Sequence, residues 1–163
     1  MRQGVTMEII GKATINPVLF YSGKVSGYAL WVGGGLGCFG IKFIPEFELP
    51  VLDILAIAAL LLGLIFIAAS AVSLGKSTRL GLPQGDTKLK TGGIYRLSRN
   101  PMYVGFNLLT IAAMLAISNP VAWVAGLYSM AVYDLIIRGE EKFLAARFGD
   151  EYSAYRTQVR RYL

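Results

Sequence analysis

The sequence predicts an all-α integral membrane bundle of about four transmembrane helices, with a cytosolic loop and C-terminal amphipathic helices at one end. The hydrophobic fraction is 55% and the mean hydropathy +0.54. Charged residues make up 16%, against roughly 25% in soluble domains. The apolar residues fall in long runs of the kind that cross a bilayer. Disorder is excluded, because it needs low hydrophobicity and high charge. A chain of 163 residues allows one domain.

Four apolar runs stand out, at 17–43, 51–74, 102–117 and 121–137. The first is interrupted by Lys24, which either snorkels or marks the true start of the span, and it is rich in glycine. Its cluster Gly33, Gly34, Gly35, Gly37 and Gly40 lacks the strand and helix context of a dinucleotide loop. Close helix packing through small residues is the better reading, with Cys38 as inert packing. The third and fourth runs, of 16 and 17 residues, are separated by Ser118, Asn119 and Pro120. Asn-Pro is a turn signal and proline suits a first helical turn, so these runs form a tight hairpin.

Charge sets the orientation. Between the second and third runs lie Lys76, Arg79, Lys88, Lys90, Arg96 and Arg99, against Asp86 alone. The segment after the fourth run carries Arg138, Lys142, Arg147, Arg156, Arg160 and Arg161. The connection after the first run carries Glu46, Glu48 and Asp53, with Lys42 at its edge, and the hairpin turn is uncharged. Basic residues thus alternate sides, as expected for four spans with both termini cytosolic. The net charge of +6 is accounted for by this pattern, so no nucleic-acid partner is expected. The stretch Met1–Asn16 is too polar and mixed for a cleavable signal peptide.

Segments 75–100 and 138–163 are the cytosolic elements. Gly81, Pro83, Gly85, Gly92 and Gly93 punctuate the first, which is not helical. In the second, Glu140–Phe148 reads as a helix that Gly149 stops, with Asp150 capping a short second helix that bears Tyr152, Tyr155 and Val159. These faces lie on the membrane surface or fold back over the loop.

The absence of histidine removes Ser/His/Asp and Cys/His catalysis and the usual zinc sites, and a single cysteine excludes a disulfide within the chain. Chemistry is left to carboxylates, Arg, Tyr, amides or a cofactor. The informative segment is G-I-Y-R-L-S-R-N-P-M-Y-V-G, residues 93–105. Arg96 and Arg99 suit a carboxylate. Asn100 can cap the helix that Pro101 begins, whose first amides favour an anion. Tyr95 and Tyr103 offer flat faces and hydroxyls, and Gly105 admits a close backbone or ligand. The alternative is an ordinary helix start with snorkelling arginines. Glu140 and Glu141 suit a cation or ribose hydroxyls; otherwise they are helix-end acids paired with nearby arginines. Asp134 pairs with Arg138 one turn on or is an intramembrane functional acid.

Taken together, residues 93–105, the short hairpin, Glu140-Glu141 and F-G-D-E-Y-S-A-Y with Val159 and Arg160 resemble the isoprenylcysteine carboxyl methyltransferase and phospholipid methyltransferase superfamily over about 75–162. The resemblance implies S-adenosylmethionine as methyl donor, bound on the cytosolic side between the hairpin and the folded tail. It assigns Tyr95, Arg99, Asn100, Pro101, Tyr103 and Gly105 to one cofactor motif, and Glu140, Glu141, Tyr152, Tyr155 and Arg160 to the other. Arg99, Asn100 and Glu141 are the candidate catalytic residues, and no metal is implied. Many members carry histidine where this chain has Asn100; an amide donates a hydrogen bond but cannot act as a base at neutral pH. Methyl transfer to a thiolate or carboxylate needs no general base, so positioning and exclusion of water suffice. The implied acceptor is lipophilic: a prenylated cysteine carboxylate, a phospholipid amine or a small thiol. The alternatives are a nicotinamide-dependent membrane reductase of the sterol-reductase type and a non-catalytic small membrane protein or transporter.

Overall fold

The structure, a computed structural model, describes residues 15–41, 50–75 and 88–163. Its helices are α1 (Pro17–Gly37), α2 (Pro50–Leu74), α3 (Pro101–Ile117) and α4 (Pro120–Gln158), with a 3-10 turn at Gly93–Arg96 before α3. All four helices begin with proline, whose missing N–H costs nothing in a first turn. Asn16 and Asn119 cap α1 and α4, each accepting 2.9 Å hydrogen bonds from the amide two residues on. Asn100 holds the cap position of α3, but its side chain makes no cap bond. Ser118, in the left-handed region at φ 45°, turns the chain from α3 into α4.

From α2 onward the expected runs start within a residue of the helices, but α4 continues past 137 to Gln158. The first helix ends at Gly37, and residues 42 and 43, with Lys42, Glu46 and Glu48, lie outside the described residues. So do the basic residues and glycines of 76–87. Lys24 lies within α1, which begins at Pro17. The helix expected at Glu140–Phe148 is the continuation of α4, not a separate element, and the break falls at Gly149 (φ 48°, ψ −119°). Val159 ends the second segment in an extended conformation. Cys38 is exposed just past α1, with its thiol donating to the Gly34 carbonyl at 3.6 Å.

Small residues bring the helices together. A Cβ on Gly105 would lie 2.8 Å from the Gly63 carbonyl oxygen, so α2 and α3 cross backbone to backbone. On α1 the buried stripe is Phe20, Gly23, Gly27 and Leu30. Gly23 meets Val132 and Gly27 meets Ser129 on α4. From the glycine cluster, Gly34 packs on Ala113, whereas Gly35 faces open space.

The starts of α1 and α3 and the ends of α2 and α4 share one end of the bundle. Phe20 packs with Val132, Tyr133 and Ile136, with Tyr103 against them, and Gly93 abuts Ser73 at the end of α2. Among the described residues two helices, α2 and α4, are long and apolar enough to cross a membrane. At 1.5 Å per residue, α2 is about 37 Å long and α3 about 26 Å, against a hydrocarbon core of about 30 Å. The outer face of α2 exposes Ile54, Ile57, Leu61 and Ile65, which suits lipid.

The α2–α3 crossing generates a first prediction. Gly105→Leu forces the backbones apart and destabilises the detergent-solubilised protein by about 1 to 3 kcal/mol or more in thermal unfolding. Gly35→Ala, with nothing within 4 Å, leaves the transition unchanged.

Candidate active site

Residues 92–105 reach the site through a tight turn. Gly93 takes φ +62°, and its Cβ position is filled by the Ser73 hydroxyl, so a side chain is excluded on both counts. The 3-10 turn then delivers Ser98, Arg99 and Asn100 to the start of α3. Buried Ser98 accepts a 3.1 Å hydrogen bond from the Asn100 amide and donates one of 3.1 Å to the Arg161 carbonyl.

At the centre is the Glu141 carboxylate. Its Oε1 accepts from Arg99 Nε at 3.1 Å, Arg99 Nη2 at 2.8 Å and Asn100 Nδ2 at 3.3 Å. Its Oε2 accepts from Arg161 Nε at 3.0 Å and Nη2 at 2.8 Å. Arg99 also donates from Nη1 to the Val159 carbonyl at 2.6 Å and from its amide to the Arg160 carbonyl at 2.9 Å. Asn100 Nδ2 reaches the Arg161 carbonyl at 3.2 Å. Burial alone pushes the Glu141 carboxyl upward, but the Arg161 and Arg99 guanidiniums overcome it and hold the group below its ordinary value of 4.5.

Glu140 is in a different setting. Tyr103 donates to its Oε1 at 2.8 Å, and no cation lies within ion-pair distance of it among the described residues. Burial raises its carboxyl above the ordinary range, with Tyr103 and the charge of Lys24 acting the other way. Nearby Tyr95 is pushed up to about 12, by burial and then by Glu140. The folded tail completes the enclosure: Tyr155 donates to the Tyr95 carbonyl at 2.6 Å, and Tyr152 is buried beside it at a ring separation of 6.2 Å. The tail therefore folds back over the loop.

The structure thus brings Arg99, Asn100 and Glu141 into one network, and pairs Tyr103 with Glu140 and Tyr95 with Tyr155. Buried Pro101 begins α3, and Gly105 serves the crossing with α2. Arg160 is exposed and contributes its carbonyl, while Arg161 provides the guanidinium. Sequence reasoning named Arg160, whose side chain is exposed, and did not single out Arg161, whose guanidinium reaches Glu141. It also missed Ser98 and Tyr162. Asp134 is tied to Arg138 at 2.6 Å and to the Tyr162 hydroxyl at 2.7 Å, with Arg161 at 3.9 Å. Those bonds occupy the acid that a small cation transporter would need.

Cofactor chemistry fits the residues present. A sulfonium donor with an amine and a carboxylate finds a carboxylate without a cation at Glu140, tyrosine faces at Tyr95 and Tyr103, and the positive end of α3.

The Glu141 network generates the second prediction. The side chains of Glu141 and Arg99 are 6% and 9% exposed, and breaking a buried pair costs about 3 to 5 kcal/mol. Glu141→Gln therefore lowers stability at pH 7 by an amount in that range. Because the folded carboxyl lies below 4.5, its contribution is complete above that pH and is lost as the pH falls through the lower folded value. Unfolding measured from pH 7 down to pH 3 shows this loss in the native chain and a flatter profile in Glu141→Gln.

Residues 51–151 match the phospholipid methyltransferase family. A protein-S-isoprenylcysteine O-methyltransferase of Schizosaccharomyces pombe is 30% identical over 124 residues, covering 72% of this chain and 52% of that protein. A probable protein-S-isoprenylcysteine O-methyltransferase of Oryza sativa subsp. indica is 38% identical over 73 residues, covering 44% of this chain and 38% of that protein. An uncharacterized protein of Haemophilus influenzae is 35% identical over 63 residues, 38% of this chain and 100% of that protein. The chain thus spans about half the length of the yeast relative. Members of the family use S-adenosylmethionine as methyl donor. This chain belongs to the phospholipid methyltransferase family of membrane methyltransferases.

Proposed function

We propose that this protein is a membrane-bound, S-adenosylmethionine-dependent methyltransferase acting on a lipophilic acceptor: a prenylated cysteine carboxylate, a phospholipid amine or a small hydrophobic thiol. The observation that carries the reading is the meeting of segment 93–105 with Glu140, Glu141 and the folded tail at one end of the bundle. The yeast relative is named for transfer to isoprenylcysteine, which supports a lipophilic acceptor here.

The two adjacent carboxylates have separate roles. Glu141, bonded on both oxygens, positions the tail and the start of α3. Glu140, among Tyr95 and Tyr103, receives the amine of the methyl donor. The folded tail excludes water from the pocket; in-line transfer to a carboxylate or thiolate needs no proton to move, whereas a phospholipid amine must first lose one. S-adenosylmethionine supplies the activated methyl group, and the protein supplies orientation.

The chain crosses the membrane four times, with α1 and α3 completing the set that α2 and α4 begin, and both termini are cytosolic. Reporter fusions after Leu74 and after Leu163 read cytosolic, and one at Asn119 reads external. A cytosolic signal at Asn119 overturns this topology.

Titration of the purified protein with S-adenosylmethionine and with NADPH tests the activity class. The native chain binds S-adenosylmethionine and not NADPH. Glu140→Ala weakens that binding by about tenfold or more, the cost of one charge-assisted hydrogen bond, while the protein stays folded. Arg99→Ala loses binding and stability together. If Glu140→Ala binds the donor as well as Gly35→Ala does, Glu140 is only a helix-end charge.

A further inference from the structure

The chain beyond Gly149 has the parts of a lid. Gly149 breaks α4 at φ 48°, and nothing lies within 4 Å of the place its side chain would take, so the chain turns there without moving a neighbour. Residues 150–158 return to the site with Tyr152 and Tyr155 buried on the inner face and Glu151, Ser153 and Arg156 exposed on the outer. The far edge is the segment 159–162, and its ties are unequal. Arg161 meets Glu141, whose side chain is 6% exposed. Tyr162 donates to Asp134 Oδ1 at 2.7 Å, and the Asp134 side chain is 26% exposed. Asp134 precedes Glu141 by about two turns, or 10 Å, on the same face of α4. The edge of the lid is therefore drawn past the mouth of the site to the depth of the fourth apolar run. An acid at that depth is costly unless it is bonded. Arg138 holds Oδ2 at 2.6 Å, which fixes the carboxylate from its own helix and leaves Oδ1 for the lid. The helices beside the site are seated by close contacts, Gly23 on Val132 and Gly27 on Ser129, so the lid is the boundary free to move.

Resting on the methyltransferase reading above, we propose that the Tyr162–Asp134 bond is the latch of a lid hinged at Gly149, and that its release sets how fast S-adenosylmethionine enters and S-adenosylhomocysteine leaves. Tyr162 and Asp134 are positioning residues, acting through the lid and not on the donor. Their bond is the outermost and more exposed tie, so it opens first. The Arg161–Glu141 pair and the bonds from Arg99 to the carbonyls of Val159 and Arg160 follow. A latch that holds the lid alike over an empty and a loaded site governs both rates of exchange and leaves affinity alone.

Stopped-flow binding of S-adenosylmethionine and S-adenosylhomocysteine to the full chain in lipid nanodiscs tests this. Tyr162→Phe keeps the ring and removes the donated bond. It raises the association and dissociation rates together by about tenfold or more, the worth of one hydrogen bond to a charged group, while Kd is unchanged. Asp134→Asn, which loses the charge but keeps an acceptor oxygen, raises both rates by less. The Arg99 amide reports the lid without any donor, because its bond to the Arg160 carbonyl at 2.9 Å exists only while the lid is shut. Its hydrogen exchange quickens in Tyr162→Phe by the same factor as the rates. A residue that merely stabilises the fold moves neither rate at a temperature where native and variant chains are both folded. Unchanged rates in Tyr162→Phe, or a weaker Kd from faster dissociation alone, overturns the latch. Failure of the native chain to bind S-adenosylmethionine overturns the methyltransferase reading instead, and Arg99 exchange then decides the latch by itself.

Discussion

A single buried carboxylate clasped between two guanidiniums holds the working end of this protein together. Glu141 projects from α4, Arg99 from the turn before α3 and Arg161 from the extended tail. Three segments far apart in sequence therefore meet on one side chain. An ion in this position is stable only because every bond it lost from water is replaced, on both oxygens. The same contacts anchor the carbonyls of residues 159–161 to the start of α3, which carries the tail over Tyr95. One glutamate fixes the architecture, and its neighbour, among the described residues, is left with no cation within ion-pair distance.

The helices below serve this arrangement by close approach rather than by a large core. Gly63 and Gly105 let α2 and α3 touch along their backbones, and Gly23 and Gly27 seat α1 on α4. In lipid, apolar burial gives little drive for association, so packing and short polar bonds carry more of it. The bonds from Trp31 to Thr110 at 3.1 Å and from Ser22 to Tyr128 at 2.7 Å fit that role.

Much of this was legible in the sequence. The apolar runs and Pro starts located α2, α3 and α4 to within a residue at their amino ends, because a hydrophobic span and a proline are local signals. Gly149 was readable as a break for the same reason, and positive φ confirms it. What could not be read depends on contacts between distant segments. Asn100 looks like a helix cap, but Glu141 and the Arg161 carbonyl take its side chain. Gly105 reads as a place for another backbone or a ligand to come close, and only the structure shows that the backbone of α2 is there. That Arg161 rather than Arg160 reaches Glu141 depends on the path of the chain beyond α4, which two adjacent arginines do not reveal. The inequality between Glu140 and Glu141 is likewise invisible in a Glu-Glu pair. It arises from a helical rotation of about 100° between neighbours, which turns one toward the guanidiniums and the other toward Tyr103.

The most direct measurement is backbone hydrogen exchange of the native protein in nanodiscs, with and without S-adenosylmethionine. If the clasp builds one cofactor pocket from both segments, the donor slows exchange in residues 93–105 and 159–162 together. The exposed amino end of α2 stays unchanged. Protection confined to one segment, or no protection in either at saturating donor, contradicts a pocket assembled around Glu141.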